Sequence, residues 1–319
     1  MNLPLIVLLG ATASGKSGLA VALAQELRAE RRPAEIVNAD AMAVYVGMDV
    51  GTAKPSPAQR GGVPHHLIDI LTVRQTASVA EFQALARAAI DDCRARGVVP
   101  ILVGGSALYV HAICDRFEFP GTDPALRERL EAELASLGPA LLHSRLAGLA
   151  PDAAAGILPG NGRRIVRALE VVELTGAFRA QLPEWSYALD DVHQIGLDLP
   201  REELDRRIAE RVEAMWAEGL VAEVERLART GLRDGRTASR AIGYRQVLAY
   251  LAGELDEAQA KQQTIAGTRR FARKQLGWFR RDGRIIWLPA GAPDLVARVR
   301  EIALRGTAPG PVDPAGPRC

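Results

Sequence analysis

Short apolar runs separated by helical segments dominate the pattern of this chain. Five runs are strand candidates, and most of them have the near-continuous hydrophobicity of strands buried on both faces. The clearest helix begins after Ser78, which forms a capping box with Glu81, and ends before Gly97. Alternating strands and helices predict an α/β fold with a parallel, doubly wound sheet, in which ligands bind beyond the carboxyl ends of the strands. The predicted strands are residues 5–9, 35–38, 98–103, 193–199 and 284–288.

The alternation stops in the middle of the chain, where several short helices follow one another. Asp123 and Pro124 begin one of them, and Asn161 caps another that ends at Thr175. The part after Pro200 is again mostly helical, and the last residues are rich in Pro and Gly, which indicates disorder. The predicted domains are a phosphate-loop core of residues 1–115 and 192–305, an all-helical insertion of residues 116–191, and a disordered tail of residues 306–319.

A phosphate-binding loop connects the first strand to the first helix. The stretch fits the pattern G-x-x-x-x-G-K-[ST], and the alternative is a glycine-rich turn without a ligand. Such a loop directs backbone N–H groups at an anion, while Lys16 adds a point charge and Ser17 offers a hydroxyl to a phosphate-bound Mg²⁺. Lys16 is one of only four lysines in a chain with 40 basic residues, which suggests that its position requires an ammonium. The candidate diphosphate-binding residues are Gly10, Ala11, Thr12, Ala13, Ser14, Gly15, Lys16 and Ser17.

Two further segments fall on the same edge of the predicted sheet as this loop. Asp40 follows the second strand, where it is a general base, a helix N-cap or a ligand of Mg²⁺. The third strand ends in Gly104 and Gly105, whereas nucleotide-hydrolysing enzymes usually have a Mg²⁺-associated aspartate there. The loop is therefore present without the usual water-activating residues, which favours transfer chemistry over hydrolysis.

Composition limits the remaining possibilities. The 319 residues are 48% hydrophobic, which is enough for a substantial core, and the net charge of +2 creates no global field for a polyanion. Three widely spaced cysteines, Cys93, Cys114 and Cys319, argue against a disulfide framework and against a zinc site. Without a basic segment at residues 1–4 or an apolar run of membrane-spanning length, a cytoplasmic protein with no membrane partner is expected.

Arginines are clustered in three places. Residues 269–284 contain six arginines and one lysine with Trp278 and Phe279 between them, while Arg240 and Arg245 flank a Gly-Tyr pair. The third cluster lies in the insertion, around Arg163. Arginines near aromatic side chains favour RNA phosphates and unstacked bases, although solvated helix faces with ordinary ion pairs are the alternative.

The chain resembles the bacterial tRNA dimethylallyltransferases, also called tRNA isopentenyltransferases, from residue 5 to about residue 288. The resemblance depends on an ordered set of motifs, of which a phosphate-loop kinase would share only the first. These motifs are residues 10–17, 38–55, 65–69, 103–109, 164–171 and 241–246.

The resemblance implies a prenyl transfer to RNA. A dimethylallyl group passes from dimethylallyl diphosphate to N6 of adenosine-37, next to the anticodon, in tRNAs that read codons beginning with U. Asp40 matches the family's general base, and Lys16, Ser17 and Arg211 match the residues that act on the diphosphate. The implied partners are the tRNA anticodon stem-loop, dimethylallyl diphosphate and Mg²⁺ held by Ser17, in a monomer without an obligate protein partner.

The resemblance also implies contacts with tRNA, and at two of them this chain departs from the family. Ala41 and Ala43 stand where the family often has Ser and Gln, so any hydrogen bonds of those side chains are lost or replaced. Two other functions are weighed against prenyl transfer: a phosphate-loop kinase of a small molecule or RNA end, and a non-catalytic tRNA-binding protein. The implied contacts are Asp40, Ala41, Met42, Ala43, Ser106, Arg127, Arg163, Arg164, Ile165, Val166, Arg167, Arg240, Ala241, Ile242, Gly243, Tyr244 and Arg245.

Overall fold

The computed structural model describes residues 3–178 and 185–304, which form two compact units. Within these residues, 3–115 and 187–304 belong to the first unit, and 116–178 with 185–186 belong to the second. Residues 187–191, which the sequence analysis places in the insertion, lie with the first unit because Tyr187 forms a bridge with Asp115 and its ring lies under the Arg284 guanidinium, 4.1 Å away. The predicted tail of residues 306–319 lies outside the described residues.

A six-stranded parallel sheet forms the centre of the first unit, in the order β3-β2-β4-β1-β5-β6. This confirms the predicted α/β fold and each of the five predicted strands. The sequence pattern did not indicate β3, because two histidines are too short a run to show a period. The strands are β1 (Leu5–Gly10), β2 (Ala34–Asn38), β3 (His65–His66), β4 (Val99–Gly104), β5 (Val192–Asp198) and β6 (Ile286–Pro289).

Twelve α-helices occur in the part of the chain that the structure describes. Four of them, α4 to α7, make up the second unit, which agrees with the predicted helical segment. The described part of the chain has no helix that is both long and apolar enough to cross a membrane. The helices are α1 (Lys16–Ala29), α2 (Val79–Ala95), α3 (Ala107–Cys114), α4 (Pro124–Leu137), α5 (Pro139–Leu149), α6 (Pro151–Ala155), α7 (Gly162–Thr175), α8 (Arg201–Ala217), α9 (Leu220–Arg229), α10 (Tyr244–Leu251), α11 (Glu257–Phe279) and α12 (Leu295–Leu304).

Helices cover both faces of the sheet, which explains why the central strands β1 and β4 are apolar and buried along their whole length. On one face, Leu5 and Val7 of β1 join a core that includes side chains of α2, α3, α9 and α10. On the other face, Ile6 and Leu8 pack with residues of α1 and α12. Each fully buried large apolar side chain contributes about 1.5–3 kcal/mol, so β1 is fixed at the centre of the sheet and holds the start of the phosphate loop rigidly.

Predicted caps begin two helices of the second unit. Asp123 Oδ1 accepts hydrogen bonds from the N–H groups of Ala125 and Leu126, 2.9 and 3.0 Å away, and so begins α4. Asn161 Oδ1 accepts from the N–H of Arg164 at 3.3 Å and begins α7, which ends at Thr175 before a left-handed Gly176. Both predicted helix starts are therefore confirmed. The four helices bury a separate apolar core of their own.

A fully buried carboxylate, Glu170, links the helices of the second unit. It accepts hydrogen bonds from Thr122 Oγ1 at 2.7 Å, from Arg127 Nη2 at 2.5 Å and from Arg167 Nη1 at 2.8 Å. Burial alone would raise the pKa of Glu170, but the bonds from Arg127 and Arg167 outweigh burial and hold the pKa at about 2. The carboxylate is charged and fully paired at neutral pH, so it fixes α4 against α7.

Replacing Glu170 with alanine is expected to lower the free energy of unfolding of the second unit by about 3 kcal/mol, because a buried ion-pair network loses its acceptor. Glu173→Ala is the matched control on the same helix. Glu173 pairs with Arg129 and Arg145 at the surface, where such pairs contribute about 0–1 kcal/mol. Urea unfolding with hydrogen exchange at the α7 amides measures both. Equal losses in the two variants would contradict the role assigned to Glu170.

Candidate active site

Backbone geometry shapes the phosphate loop between β1 and α1. Gly10 and Gly15 have φ angles of 142° and 92°, in the region that favours glycine, and Ala13 adopts φ 65°. A Cβ on Gly10 would lie 3.0 Å from the carbonyl oxygen of Leu197 on β5. The two glycines of the motif are therefore required by the turn itself, and the strained Ala13 conformation is typical of a ligand-binding loop.

Polar groups around the loop indicate a ligand. The hydroxyl of Ser14 is buried and has no hydrogen-bond partner among the described residues, although buried polar atoms are nearly always paired. Gln275, from α11, accepts a hydrogen bond from Thr12 N–H at 2.9 Å and donates one to Gly105 O at 2.7 Å. Gln275 thus fixes the loop against the end of β4. The sequence analysis missed this role, because no local pattern links residues 263 positions apart.

Lys16, Asp40 and Arg211 line one cavity of about 1040 Å³ together with the phosphate loop. The Lys16 ammonium donates a hydrogen bond to Ala11 O at 2.6 Å, and Arg211 Nη1 donates to Thr12 Oγ1 at 3.3 Å. Arg211 reaches the loop from α8, although it is 199 residues away in sequence. The four residues for which the sequence predicts catalytic roles, including Ser17, are therefore brought to one place.

Electrostatics in the cavity favour a polyanion. Burial lowers the pKa of Lys16 to about 8, because the cavity disfavours the charged ammonium; the nearby Asp40 opposes this effect, and Arg211 adds to it. Burial also lowers the pKa of Arg211, although a guanidinium stays charged at any physiological pH. Two cations held together without a full complement of anions form a site that a diphosphate would neutralise.

The affinity of the protein for inorganic diphosphate is expected to fall as the pH rises above about 8. Below that value Lys16 is protonated and attracts the anion, while above it the free protein increasingly presents a neutral amine. The limiting slope is about tenfold per pH unit, because one proton is required. Titration calorimetry from pH 6.5 to 9.5 measures the effect against Lys16→Met. A wild-type slope no steeper than that of the variant would contradict the assignment.

Asp40 is held in a defined turn at the end of β2. Its Oδ1 accepts hydrogen bonds from the N–H of Met42 at 2.7 Å and of Ala43 at 3.4 Å, and its own N–H donates to Asn38 Oδ1 at 2.9 Å. The residues that follow form turns and no helix, so the helix N-cap alternative is wrong. Within residues 3–178 and 185–304, no group donates a hydrogen bond to Oδ2. The turn therefore holds the carboxylate by one oxygen and leaves the other for a ligand.

The end of β4 has no room for a side chain. A Cβ on Gly104 would lie 2.5 Å from the carbonyl oxygen of Ala39, and one on Gly105 would lie 2.4 Å from Gln275 Nε2. These contacts are far shorter than real Cβ contacts. The close approach of Ala39 to Gly104 therefore leaves no space at residue 104 for an aspartate side chain.

The residues predicted to contact tRNA divide into exposed and buried sets. In the first unit, Arg240 and Arg245 are exposed, whereas Tyr244 is fully buried and donates a hydrogen bond to Glu223 Oε1 at 2.5 Å. Ala241 and Gly243 are buried as well. The Tyr244 side chain fixes the local backbone, so only its neighbours are accessible to RNA.

The second unit shows the same division. Arg163 and Arg164 are exposed on α7, whereas Ile165 and Val166 belong to the apolar core of the unit. Arg127 and Arg167 bind Glu170, as described above. The side chains of Ile165 and Val166 therefore pack the unit and cannot themselves contact RNA.

Ion pairs occupy part of the basic segment of residues 269–284. Arg284 makes bidentate bonds with Asp115, at 2.6 and 2.9 Å, and Arg280 pairs with Asp198 at 2.7 Å. Arg270 and Arg273 on α11 are exposed. The Arg284 guanidinium is thus bound within the protein, where it joins its segment to Asp115.

The donors in the cavity suit Mg²⁺. The hydroxyl of Ser17 at the start of α1 is exposed to the cavity, and the Asp40 carboxylate is a hard oxygen ligand in the same space. Because Mg²⁺ is typically bound through one or two protein oxygens together with substrate phosphates and water, these residues fit it.

A second group of possible metal ligands, Glu35, His66 and Cys93, lies at the sheet edge. Arg96 donates two hydrogen bonds to Glu35 and holds the pKa of that carboxyl at about 2, while burial raises the pKa of the Cys93 thiol to about 12. The carboxylate is therefore already neutralised and the thiol protonated, so this cluster is a structural ion pair.

Fold and site together define a phosphate-loop α/β protein whose cavity combines cationic side chains with a carboxylate. The model of the IPP transferase family matches residues 43–282. A tRNA dimethylallyltransferase of Salinispora tropica is 62% identical over 92% of this chain and 90% of the relative. The chain belongs to the IPP transferase family.

Solved structures agree with this assignment. The tRNA isopentenylpyrophosphate transferase of Bacillus halodurans is 38% identical, with a TM-score of 0.67 over 94% of both chains. A eukaryotic dimethylallyltransferase captured acting on tRNA is 26% identical, with a TM-score of 0.77 over 94% of this chain and 78% of that one. Both share this chain's fold across nearly its full length.

Proposed function

We propose that this protein transfers a dimethylallyl group from dimethylallyl diphosphate to N6 of the adenosine next to the anticodon in tRNA. The observation that carries the proposal is the single cavity that unites the phosphate loop, Arg211 and the Asp40 carboxylate. The acidic side chain that nucleotide-hydrolysing enzymes usually carry after this strand is sterically excluded at Gly104. Its family membership, and the names of its relatives, support the same reaction.

The cationic side of the cavity acts on the leaving group. As the bond between C1 of the dimethylallyl group and the bridging oxygen breaks, negative charge accumulates on the diphosphate oxygens. Lys16, Arg211 and the loop N–H groups are held in place before this happens, so they stabilise the developing charge without reorganising. Ser17 would hold Mg²⁺, which would supply further positive charge to the same oxygens.

The Asp40 side of the cavity acts on the nucleophile. The N6 amine of adenine is a weak nucleophile, because its lone pair is delocalised into the ring. As N6 forms its bond to C1, one N6 proton passes to the free Oδ2 of Asp40, while Oδ1 stays bonded to the turn. The adenine leaves the anticodon stack to enter the cavity, which also keeps water from the allylic cation.

The RNA contacts belong to the proposal as well. The exposed Arg163 and Arg164 of the second unit and Arg240 and Arg245 of the first unit are accessible to tRNA phosphates. Ala41 and Ala43 offer no side-chain hydrogen bonds, and the N–H of Ala43 already donates to Asp40. Met42 and the backbone carbonyls therefore make the contacts of this segment with the flipped base.

One experiment tests the proposal directly. Purified protein is incubated with total tRNA from a strain lacking this modification, Mg²⁺ and labelled dimethylallyl diphosphate, and the labelled nucleoside is identified by mass spectrometry. We expect N6-(dimethylallyl)adenosine and one diphosphate per transfer. Thermal shift should show stabilisation by dimethylallyl diphosphate rather than by ATP. Label transfer from γ-labelled ATP to RNA, with none from the prenyl donor, would show a kinase instead.

A further inference from the structure

A buried lysine outside the phosphate loop joins three segments of the cavity wall. The side chain of Lys54 is only 3% exposed, and its ammonium donates all three of its N–H groups. The acceptors are Tyr45 O at 2.8 Å, Asp49 Oδ1 at 2.6 Å and Asp69 Oδ1 at 2.6 Å. The carboxylates of Asp49 and Asp69 are half exposed and line the cavity. The buried Lys54 ammonium therefore connects segments that form the cavity wall.

Strained backbone is concentrated around this ammonium. Ala53, Leu67 and Asp69 have φ angles of 52°, 61° and 57°, although none of them is glycine. Such conformations cost about 1–3 kcal/mol in unfavourable cases and persist only where the surroundings enforce them. Lys54 binds Asp69 directly, and Ala53 immediately precedes Lys54, so two of the three strained residues adjoin this one ammonium.

The strained segment leads directly to Asp40. The carbonyl of Leu67 accepts a hydrogen bond from Asn38 Nδ2 at 3.0 Å, and the same amide group donates to Asp40 O at 3.0 Å. The other atom of that amide, Oδ1, accepts from Asp40 N–H. In addition, the N–H of Asp69 donates to Ala43 O at 3.3 Å, behind the turn that Asp40 caps. A displacement of residues 67–69 is therefore transmitted to both ends of the Asp40 turn.

A second anchor restrains the other side of the same wall. The buried carboxylate of Glu223 accepts hydrogen bonds from the N–H groups of Asp49 at 3.0 Å and Val50 at 2.9 Å. This fixes the turn that carries Asp49 from within the core. Glu223 holds the turn that carries Asp49, and the Lys54 ammonium binds both Asp49 and Asp69. Lys54 therefore connects the segment around Asp69 to a turn that is already fixed.

We propose that Lys54 is a positioning residue for Asp40, acting through Asp69, Leu67 and Asn38. The inference rests on the proposed function, because it assumes that Asp40 takes the N6 proton. The hydrogen bonds of the Lys54 ammonium go to Tyr45, Asp49 and Asp69, and none goes to the phosphate loop. Its loss should misplace the base while leaving the diphosphate site intact.

The test is Lys54→Met in the full chain. We expect kcat for dimethylallyl transfer to fall by about 10- to 100-fold, as for a misplaced catalytic group. The affinity for inorganic diphosphate should stay at the wild-type value. The variant is expected to fold, because Asp49 and Asp69 are exposed enough to be hydrated when the ammonium is removed. Lys261→Met is the matched control: Lys261 also pairs with two carboxylates, Glu213 and Glu257, but on α8 and α11.

Coupling separates positioning from a general structural role. Asp69→Asn removes the charge from the intermediate group while keeping an acceptor oxygen, and should lower kcat less than Lys54→Met does. The double variant Lys54→Met with Asp69→Asn should be no worse than Lys54→Met alone, since both act along one path. Parallel losses of kcat and diphosphate affinity, a kcat equal to that of Lys261→Met, or additive effects would each overturn the proposal.

Hydrogen exchange gives a readout that does not depend on the reaction. In Lys54→Met the amides of Met42 and Ala43 should exchange faster, because the turn on Asp40 loosens, while the amides of α1 stay protected. Unchanged exchange at these two amides would overturn the positioning role. Faster exchange in a protein whose wild type transfers no prenyl group would leave the link to Asp40 intact and instead refute the proposed function.

Discussion

Asp40→Asn is expected to lower kcat for dimethylallyl transfer by about 10²–10⁴-fold, the usual contribution of a general base. Asparagine keeps the side-chain oxygen that accepts from Met42, so the turn at the end of β2 should persist. What is lost is a basic oxygen in the position of Oδ2. The adenine N6 must then attack without a proton acceptor, while the diphosphate site and the RNA contacts remain.

Three measurements check this prediction. Single-turnover transfer gives the rate of the chemical step, filter binding gives the tRNA affinity, and calorimetry gives the affinity for inorganic diphosphate. Glu218→Gln is the control, because Glu218 lines the same cavity from the end of α8 but has no place in the proposed proton transfer. A wild-type rate in Asp40→Asn, or equal losses in the two variants, would refute the assignment of the base.

Lys16→Met should reduce kcat/KM for dimethylallyl diphosphate by about 10²–10³-fold, comparable to the loss of one preorganised charge-stabilising donor. The ammonium is the cation at the start of α1, and burial has already lowered its pKa to about 8. A bound diphosphate favours the protonated form of Lys16. The attraction between the ammonium and the diphosphate therefore contributes both to binding and to stabilisation of the leaving group. Methionine keeps the length and apolar stem of the side chain, so the loop should retain its shape.

The tRNA affinity of Lys16→Met should equal that of the wild type, because the exposed arginines that are proposed to bind RNA lie on other elements. Lys16→Arg is an informative companion. The Lys16 ammonium lies 2.6 Å from Ala11 O, and a planar guanidinium does not fit that compact position. We therefore expect Arg to restore little activity. Full rescue by Arg would mean that only a diffuse positive charge is needed there.

Periodicity and motif spacing predicted the central sheet and the phosphate loop because both are encoded locally. Strands buried on two faces must be apolar at every position, and the loop needs its glycines and lysine at fixed intervals. The exception, β3, consists of His65 and His66 alone. Its strand character comes from pairing with β2, and two residues carry no local signal of that pairing.

Long-range polar contacts could not be predicted. Gln275 reaches the phosphate loop from α11, and Lys54 and Glu223 fasten the cavity wall, yet none of the three belongs to a local pattern that indicates a partner. Conversely, Tyr244 and Ile165 lie in segments assigned to tRNA although their side chains are buried. Motif matching identifies a segment, but only the packed structure shows which of its side chains face a ligand.

The contact between Gly104 and Ala39 limits how this protein could evolve. Converting it into a nucleotide hydrolase would require an acidic side chain at the end of β4, yet any Cβ at residue 104 would collide with the Ala39 backbone at 2.5 Å. Ala39 immediately precedes Asp40, so a movement of the Ala39 backbone that made space for this side chain would also displace Asp40. An acidic side chain at residue 104 therefore cannot be introduced by one substitution without disturbing the position of Asp40.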